Sequence, residues 1–433
     1  MAEPARALPH GEMALVFAAL LVAAAGNTAL HSILPVIGRT LAIPDMGVAL
    51  IFSLSALFWT ITAPFWARQS DLRGRRLLMG VGVLGFAVSM LLSALVVLAG
   101  MRGAITGLAT LGMFMLTRTL FGIFGAATNP AAQAYVASRT SASERTAALA
   151  VLSSAFGLGT ILGPALAPFF ILPVVGLAGP MFAFAFIAVL VFLALWRWLP
   201  DDAPGELSGR GAPATVPDIG AAPTGASVLA AEAASASGIR LPPAFRDARV
   251  KPFLLYGFAV GSLQAATFQA IGFLVIDRMA FGGLESAQLI GITLMAGAGA
   301  TLLAQWGIIR ILAMSPAQLM RWGTALAALG TAWIAFAPGF YQLVLAFSLA
   351  SLGYGFARPG FTAGASLAVS RAEQGGVAGA VTSVNGACFI VAPAAGIALY
   401  GIHPELPYLV GAAALALLAA WVLWDRTLSA RAL

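Results

Sequence analysis

The sequence predicts an all-α polytopic membrane protein, with twelve transmembrane helices in two pseudo-symmetric six-helix bundles. Of its 433 residues, 60% are hydrophobic and only 9% are charged, whereas charged residues make up about 25% of an ordinary soluble domain. So few charges cannot cover the apolar surface of a soluble fold, and disordered chains are rich in charge. Long continuous apolar runs exclude a membrane β-barrel, in which polar and apolar residues alternate.

The individual helices follow from apolar runs, because a membrane-spanning helix needs about 20 such residues. The first six predicted helices cover residues 13–37, 46–67, 76–99, 106–136, 146–171 and 176–198. The second six cover residues 253–276, 287–312, 317–337, 340–369, 376–400 and 407–424. The first run is longer than the apolar core of a signal peptide, so we expect it to remain as a helix.

The segment between the two sets of helices differs sharply in composition. Residues 199–250 are rich in Pro, Ala, Gly and Ser and contain several acids and bases, which is typical of a flexible linker. The predicted organisation is therefore an N-terminal six-helix bundle over residues 1–198, a cytoplasmic linker over 199–250 and a C-terminal six-helix bundle over 251–433.

The positions of the basic residues predict the orientation in the membrane. With the N-terminus in the cytoplasm, only Arg39, Arg102 and Arg278 of the 23 basic residues fall on the far side, and two lie inside spans. Cytoplasmic loops of membrane proteins are enriched in Lys and Arg. The sequence therefore predicts a multi-pass protein of the inner (plasma) membrane with both termini cytoplasmic. This bias explains the net charge of +7 without a nucleic-acid partner.

The two halves also share a sequence repeat when the chain is shifted by 229 residues. The matching positions, all in helices 4–5 and 10–11 or beside them, are Pro130 with Pro359, Glu144 with Glu373, Gly157 with Gly386, and Pro164 with Pro393. Prolines bend or break transmembrane helices and are not placed freely. Two parallel six-helix repeats are typical of alternating-access transporters, whose substrate binds at mid-membrane between the halves.

A charged motif follows the second predicted helix, in the stretch Ala67-Arg-Gln-Ser-Asp71-Leu-Arg-Gly74-Arg75-Arg76. It resembles the signature loop of the major facilitator superfamily, Gly-x-x-x-Asp-x-x-Gly-Arg-Arg/Lys, with Ala67 in place of the first glycine. The resemblance implies a gating loop, in which Asp71 contacts the start of helix 11 and holds the cytoplasmic side closed. A carboxylate is favoured at a helix N-terminus. The alternative is a set of solvated loop charges.

Helix 4 contains an arginine within the motif Arg118-Thr-Leu-Phe-Gly122-Ile-Phe-Gly125-Ala126. The motif is similar to the superfamily's Arg-x-x-x-Gly-x-x-Gly-Ala pattern in this helix. Arg118 lies well inside the span, where an arginine costs at least ~2.5–3.5 kcal/mol and is a functional hypothesis by default. The resemblance implies a role in proton transfer, and the alternative is a structural arginine bonded to backbone carbonyls.

Helix 5 carries small residues around a proline. Gly159, Gly163 and Pro164 form a Gly-x-x-x-Gly-Pro core that resembles the antiporter motif of the superfamily's exporters. The closing Gly-Gly of that motif is Ala167-Pro168 here. Because small residues let helices approach closely, generic helix packing is the alternative to an antiporter motif.

Five further polar residues are candidates for the substrate and proton pathway. Arg358 in helix 10 is the second arginine inside a span and is predicted to face the central cavity, with packing or snorkelling as the alternative. Asn27 and His31 share one face of helix 1, and histidine can carry a coupling proton. Gln264 and Thr267 share one face of helix 7 and suit a polar wall.

All 16 acidic residues lie outside the central parts of the predicted spans. Two buried arginines without a buried acid make a net-positive cavity, so we expect a small organic substrate that is acidic or zwitterionic. No metal-ligand cluster or phosphate-binding glycine motif is present in the sequence, which predicts neither a metal site nor a cofactor. No nucleophile–base pair stands out, so we do not expect an enzyme.

Within the superfamily the chain looks most like the twelve-helix drug:proton antiporters. This resemblance implies a secondary active transporter that exports small organic molecules by alternating access, with protons and the lipid bilayer as its other partners. The alternative on the same fold is an importer or uniporter of an organic anion. A receptor or scaffold that does not transport is the third class.

Overall fold

The computed structural model describes residues 9–140, 142–200, 244–280, 282–370, 373–425 and 428. Twelve main helices lie in this part of the chain: α1 His10–Thr40, α2 Asp45–Arg73, α3 Arg75–Met101, α4 Gly107–Arg139, α5 Ala142–Leu166, α6 Gly179–Trp198, α7 Lys251–Met279, α8 Gly283–Leu312, α9 Pro316–Phe336, α10 Phe340–Leu367, α11 Gln374–Ile402 and α12 Leu406–Trp424. Each matches one predicted helix. Most of the predicted linker lies outside the described residues.

Eleven of these helices are long and apolar enough to cross a membrane. The exception is α9, which has 21 residues, begins with a capping box between Ser315 and Gln318, and packs closely against α10 and α12. Two helices are locally irregular: α4 has a 3₁₀ turn at Gly125–Ala127, and α8 has a π-helical segment at Leu303–Ile308. Such interruptions are frequent at functional sites.

Helix packing repeats between the halves. In the first half α1 packs on α5, α2 on α4 and α3 on α6, and the same pairs recur as α7 on α11, α8 on α10 and α9 on α12. The contacts between halves are also equivalent, since α2 packs on α11 and α8 packs on α5. The predicted fold of two pseudo-symmetric six-helix bundles is therefore confirmed.

The helix ends define two faces of the molecule. We call the face where α6 ends and α7 begins the linker face, since residues 199–250 join these two ends there. The start of α1 and the end of α12 belong to the same face, because the chain crosses from one face to the other twelve times. The opposite face carries the connections α1–α2, α3–α4, α5–α6, α7–α8, α9–α10 and α11–α12.

The structure corrects the predicted gating loop between α2 and α3. Helix α2 continues through Asp71 to Arg73, and α3 begins at Arg75, so the connection is reduced to Gly74 alone. The backbone of Gly74 has φ +96°, a conformation that side chains other than glycine rarely allow. Asp71 thus belongs to a helical turn. The Asp71 side chain lies outside the described residues.

Candidate substrate cavity

A cavity of about 540 Å³ lies between the two halves. Helices α1, α2, α4 and α5 line it from the first half, and the equivalent helices α7, α8, α10 and α11 line it from the second. Most of its lining lies in the central parts of these helices. Aromatic rings and small apolar residues share the wall with many polar side chains. This composition is typical of a binding site for a small organic molecule.

Arg118 of α4 is fully buried at one side of this cavity. Its Nη2 donates a 2.5 Å hydrogen bond to Oδ1 of Asn27 on α1, and its guanidinium carbon lies 4.5 Å from the centre of the Phe121 ring. The Nε and Nη1 donors have no hydrogen-bond partner in the described part of the chain. A buried guanidinium with unused donors can bind an acceptor that enters the cavity.

His31 lies one helical turn from Asn27 and also lines the cavity. Its Nδ1 is 3.2 Å from the backbone carbonyl of Asn27; a carbonyl only accepts, so Nδ1 carries the hydrogen and donates. The imidazole stacks on Phe52 at 4.0 Å between ring centres and touches Phe268 at 4.9 Å. Asn27 therefore holds both His31, through its carbonyl, and Arg118, through its side chain.

Two of the three predicted residues on the C-terminal side also line the cavity. Arg358 of α10 is almost completely buried in its wall, and Gln264 of α7 faces it with an Oε1 that has no hydrogen-bond partner among the described residues. Thr267 is buried and does not belong to the lining, whereas Gln269 of the same helix does. Helix periodicity alone did not resolve which face of α7 turns inward.

The sequence reading missed several polar residues of the wall. The amides that line the cavity in addition to those predicted are Asn129, Gln269, Gln305 and Asn385. Each lies inside an apolar run, so its isolated amide is the signal that could have indicated it. Asn129 has a second signal, because it occupies the position equivalent to Arg358 in the repeat.

The charge of the cavity has one sign. Of the residues described in its lining, only Arg118 and Arg358 carry a permanent charge, and neither Asp nor Glu is among them. Water-poor surroundings strengthen the field of a buried charge, and such a charge is stable only when it is paired or well hydrogen-bonded. The wall is therefore suited to a ligand with an anionic group and apolar parts.

The glycine motif of α5 brings this helix close to α1. A side chain on Gly159 would meet the Cβ of Ala24 at 2.6 Å, and one on Gly163 would lie 2.9 Å from the backbone nitrogen of Ala29. Thr28 donates a hydrogen bond to the carbonyl of Gly159 at 3.1 Å. The motif therefore sets the position of the α1 segment that carries Asn27 and His31.

Pro164 joins the same helix to the other half. The carbonyl of Pro164 lies beside Gly291 of α8, and a Cβ on that glycine would be only 2.7 Å away from it. Helix α5 thus contacts α1 on one side and the second half of the molecule on the other.

The basic residues after Gly74 contact their own half. Arg75 is buried, and Arg76 donates a hydrogen bond to the carbonyl of Trp196 and lies over the Trp196 ring at 4.9 Å. These contacts fix the start of α3 against the end of α6. Because the Asp71 side chain lies outside the described residues, its expected contact with helix 11 stays a prediction.

Comparison with known families identifies the fold. A family model described as Major Facilitator Superfamily matches residues 16–315. The chain belongs to the major facilitator superfamily. This family consists of membrane transporters and not of enzymes.

Curated relatives match over shorter stretches. The multidrug resistance protein MdtG of Dickeya zeae (strain Ech586) is 30% identical over 165 residues, which is 37% of either chain. The class B tetracycline resistance protein of Escherichia coli is 31% identical over 157 residues, or 35% of this chain and 34% of the relative. The chain thus spans about a third of the length of the relatives it matches.

Solved structures of transporters have the same fold along nearly the whole chain. A transporter of the POT family in complex with 5-aminolevulinic acid has a TM-score of 0.69 at 12% identity, and 95% of both chains is covered. The human organic anion transporter MFSD10 (TETRAN) has a TM-score of 0.63 at 20% identity and covers 96% of this chain and 100% of its own.

Proposed function

We propose that this protein exports small organic molecules with an acidic group in exchange for protons. The observation that carries the proposal is the cavity itself, which lies between the halves and holds Arg118 and Arg358 without an acid among its described residues. Export is supported by two curated relatives, a multidrug resistance protein and a tetracycline resistance protein.

Alternating access in this proposal comes from rocking of the two bundles, residues 1–198 and 251–433, joined by the linker 199–250. The linker face is proposed to lie in the cytoplasm, since most of the basic residues fall on that side. The contact of Arg39 with Asp277 joins the two halves at the opposite face, which supports an inward-facing state of the cycle. Asp71, with the turn at Gly74, would hold the linker face closed in the outward-facing state.

His31 is the proposed proton carrier. Its Nδ1 already donates to Asn27, so a proton would be taken up at Nε2 of the same ring. The charges of protonated His31 and of Arg118 then lie on the two sides of Asn27. Repulsion between these like charges makes protonation of His31 less favourable. Proton uptake therefore depends on which charges the bound substrate brings into the cavity.

The charge of the substrate decides the direction of coupling. A plain anion neutralises the arginines and makes protonation of His31 easier, which couples the anion and the proton in the same direction. A zwitterion can place its acidic group on an arginine while its cationic group competes with the proton on His31. Exchange of substrate for proton thus requires a zwitterion, and we propose that the exported molecules belong to this class.

A second function, proton-coupled uptake of an organic anion, is favoured by the same pair of arginines. Proteoliposomes with an imposed pH gradient separate the two, with tetracycline as a zwitterionic probe and salicylate as a monoanion. We expect the zwitterion to be transported in the direction opposite to the flow of protons. If only salicylate is transported, and it moves together with protons, the uptake function is correct instead.

The His31→Gln variant tests the proton carrier. Glutamine is polar and can keep a hydrogen bond to Asn27, but it cannot titrate. We expect gradient-driven accumulation to disappear while substrate exchange without a gradient persists. Thr267→Ala is the matched control, because Thr267 lies outside the cavity wall. Undiminished accumulation by His31→Gln would show that another group carries the proton.

A further inference from the structure

A cluster of charged residues joins the two halves at the opposite face. Nη2 of Arg39, in the last turn of α1, lies 2.9 Å from Oδ2 of Asp277, in the last turn of α7. The same Nη2 lies 2.9 Å from Oδ2 of Asp45, the first residue of α2. Tyr400 of α11 donates a 2.7 Å hydrogen bond to the Asp277 oxygen. One arginine of the first half therefore binds one carboxylate of each half.

Each side of this cluster is fixed to its own half. Next to Asp277, Arg278 donates hydrogen bonds of 2.8, 2.5 and 2.6 Å to the carbonyls of Ile334, Ala335 and Ala337 at the end of α9. In the first half the chain turns tightly between α1 and α2, with a 2.8 Å hydrogen bond from the amide of Ile43 to the carbonyl of Gly38. Arg39 and Asp45 must therefore move together, and so must Asp277 and the C-terminal bundle.

Below the cluster the two halves are in direct contact. A Cβ added to Gly272 of α7 would lie 2.9 Å from Cγ of Pro35 on α1. Val36 of α1 is buried, and it lies 3.9 Å from the position of a Cβ on Gly283 of α8. The opposite face is thus closed over the cavity by packing as well as by charge.

The ion pairs described at the linker face do not connect the two bundles. Arg139 lies 3.8 Å from Glu12, and both belong to the first half. Arg249 binds Asp247 and Glu373 at 2.7 Å; the first two residues end the linker just before α7, and Glu373 belongs to the second half. The described pairs at the linker face therefore do not connect the two bundles, whereas the pair of Arg39 and Asp277 at the opposite face does.

We propose that the ion pair between Arg39 and Asp277 is the gate of the opposite face. Arg39 stays paired with Asp45 whether this face is open or closed, and it binds Asp277 only when the face is closed. Opening then breaks one of two ion pairs, and Asp45 prevents Arg39 from being left as an unpaired charge, which would be costly. Tyr400 orients the Asp277 carboxylate in the closed state. This inference rests on the alternating access proposed above. The ion pair would favour the state in which the opposite face is closed.

The test measures opening of the opposite face without any substrate. Cys388 is replaced by serine, and a single reporter is introduced as Val36→Cys, which is buried while the face is closed. A membrane-impermeant thiol reagent is added from the opposite side of oriented proteoliposomes. Asp277→Asn is compared with Asp45→Asn, a matched substitution of the other carboxylate on the same arginine nitrogen. The isosteric asparagines preserve the packing.

We expect Asp277→Asn to label roughly two- to fivefold faster than the parent, because a partly exposed pair contributes modestly to the closed state. Asp45→Asn leaves the contact between halves intact and should label at nearly the parent rate. Tyr400→Phe should lie between them. The charge exchange Arg39→Asp with Asp277→Arg should restore slow labelling.

Equal labelling of Asp277→Asn, Asp45→Asn and the parent overturns the gate. Gly272→Trp then separates the possible reasons, because its side chain must push α7 away from Pro35. If Gly272→Trp accelerates labelling, the halves do part and only the gate is wrong. If Gly272→Trp also fails to accelerate it, the rocking movement and the proposed alternating access are both wrong.

Discussion

Arg118 of α4 and Phe347 of α10 occupy equivalent positions of the two halves, and so do Asn129 of α4 and Arg358 of α10. All four side chains line the cavity. Each half thus contributes one arginine, but at a different depth: Arg118 lies nearer the opposite-face end of its helix, and Arg358 lies nearer the linker face. The repeat conserves the packing of helices while the charges are placed independently in each half.

The contacts that bring α5 to α1 and α11 to α7 differ in a similar way. In the first half the small residue Gly163 is on α5. Its equivalent on α11 is Ala392, and the equivalent of Gly159 is Cys388. In the second half the close approach uses Gly261 of α7, which lies against the sulfur of Cys388, and Gly396 of α11, where an added Cβ would lie 2.9 Å from Cα of Ala266. The glycines occupy different positions in the two halves, so one arrangement of helices is reached by two distributions of side-chain volume.

The largest expected effect tests the deeper arginine. Arg118→Ala removes the guanidinium held by Asn27 and leaves that amide without its partner. We expect at least ~30-fold slower substrate transport, since removal of one member of a buried charged hydrogen bond costs about 2–5 kcal/mol. Leu116→Ala is the control on the same helix, because Leu116 is 69% exposed on the outside. If the Arg118→Ala variant transports substrate at the parent rate, this arginine has a structural role and no role in transport.

The second prediction exchanges the residues at equivalent positions. Arg358→Asn gives α10 the residue of α4, and we expect KM for an acidic substrate to rise about tenfold with less change in kcat, because one cationic contact is lost. The double variant Asn129→Arg with Arg358→Asn moves the charge to the other half. Recovery of the parent KM would mean that the charge of the cavity is sufficient, and no recovery would mean that the position of the charge matters.

The third prediction concerns the unequal helix contacts. Gly163→Ala places a methyl group against the backbone of α1, and overpacking of this kind costs typically 1–3 kcal/mol. We expect a lower Tm in detergent and slower transport, since α1 carries Asn27. Gly379→Ala on α11 is the control, because nothing lies within 4 Å of the added carbon. Equal Tm values for both variants would contradict the close contact.

The twelve helices could be predicted because each signal is local. An apolar run of sufficient length is read directly from the sequence, and the repeat indicates how the runs are divided. The local signal was wrong at Asp71, which was expected in a loop. Helix α2 continues through this residue because the single Gly74, with its positive φ, can reverse the chain alone.

The candidate site could be predicted only in part. Asn27, His31, Arg118, Gln264 and Arg358 were indicated because a polar group inside an apolar run is costly and therefore informative. The pair of Arg39 and Asp277 was missed, since both residues lie at helix ends, where charge is ordinary. Their contact joins residues 238 positions apart in sequence and depends on how the two halves meet, which no local pattern encodes.

The smallest expected effect lies at the linker face, where each half has its own cluster. In the first half Tyr135 donates a 2.6 Å hydrogen bond to Glu12. In the second half Glu373 accepts hydrogen bonds from Arg249 at 2.7 Å and from the Ser370 hydroxyl at 2.7 Å. The hydrogen bond from Arg249, followed by those from Ser370, lowers the pKa of Glu373 from 4.5 to about 2.

A carboxylate with a lowered pKa stabilises the folded state above its unfolded pKa and loses this contribution as the pH falls through its folded pKa. Glu373 should therefore contribute fully above pH 4.5, and its contribution should disappear between pH 4.5 and 2. We expect Glu373→Gln to lower Tm at pH 6 by no more than about 2 °C, because the ion pair is exposed. At pH 2 the variant and the parent should melt together, as followed by tryptophan fluorescence in detergent. A Tm difference that stays constant from pH 6 to pH 2 would mean that Glu373 stabilises its cluster through packing and not through its charge.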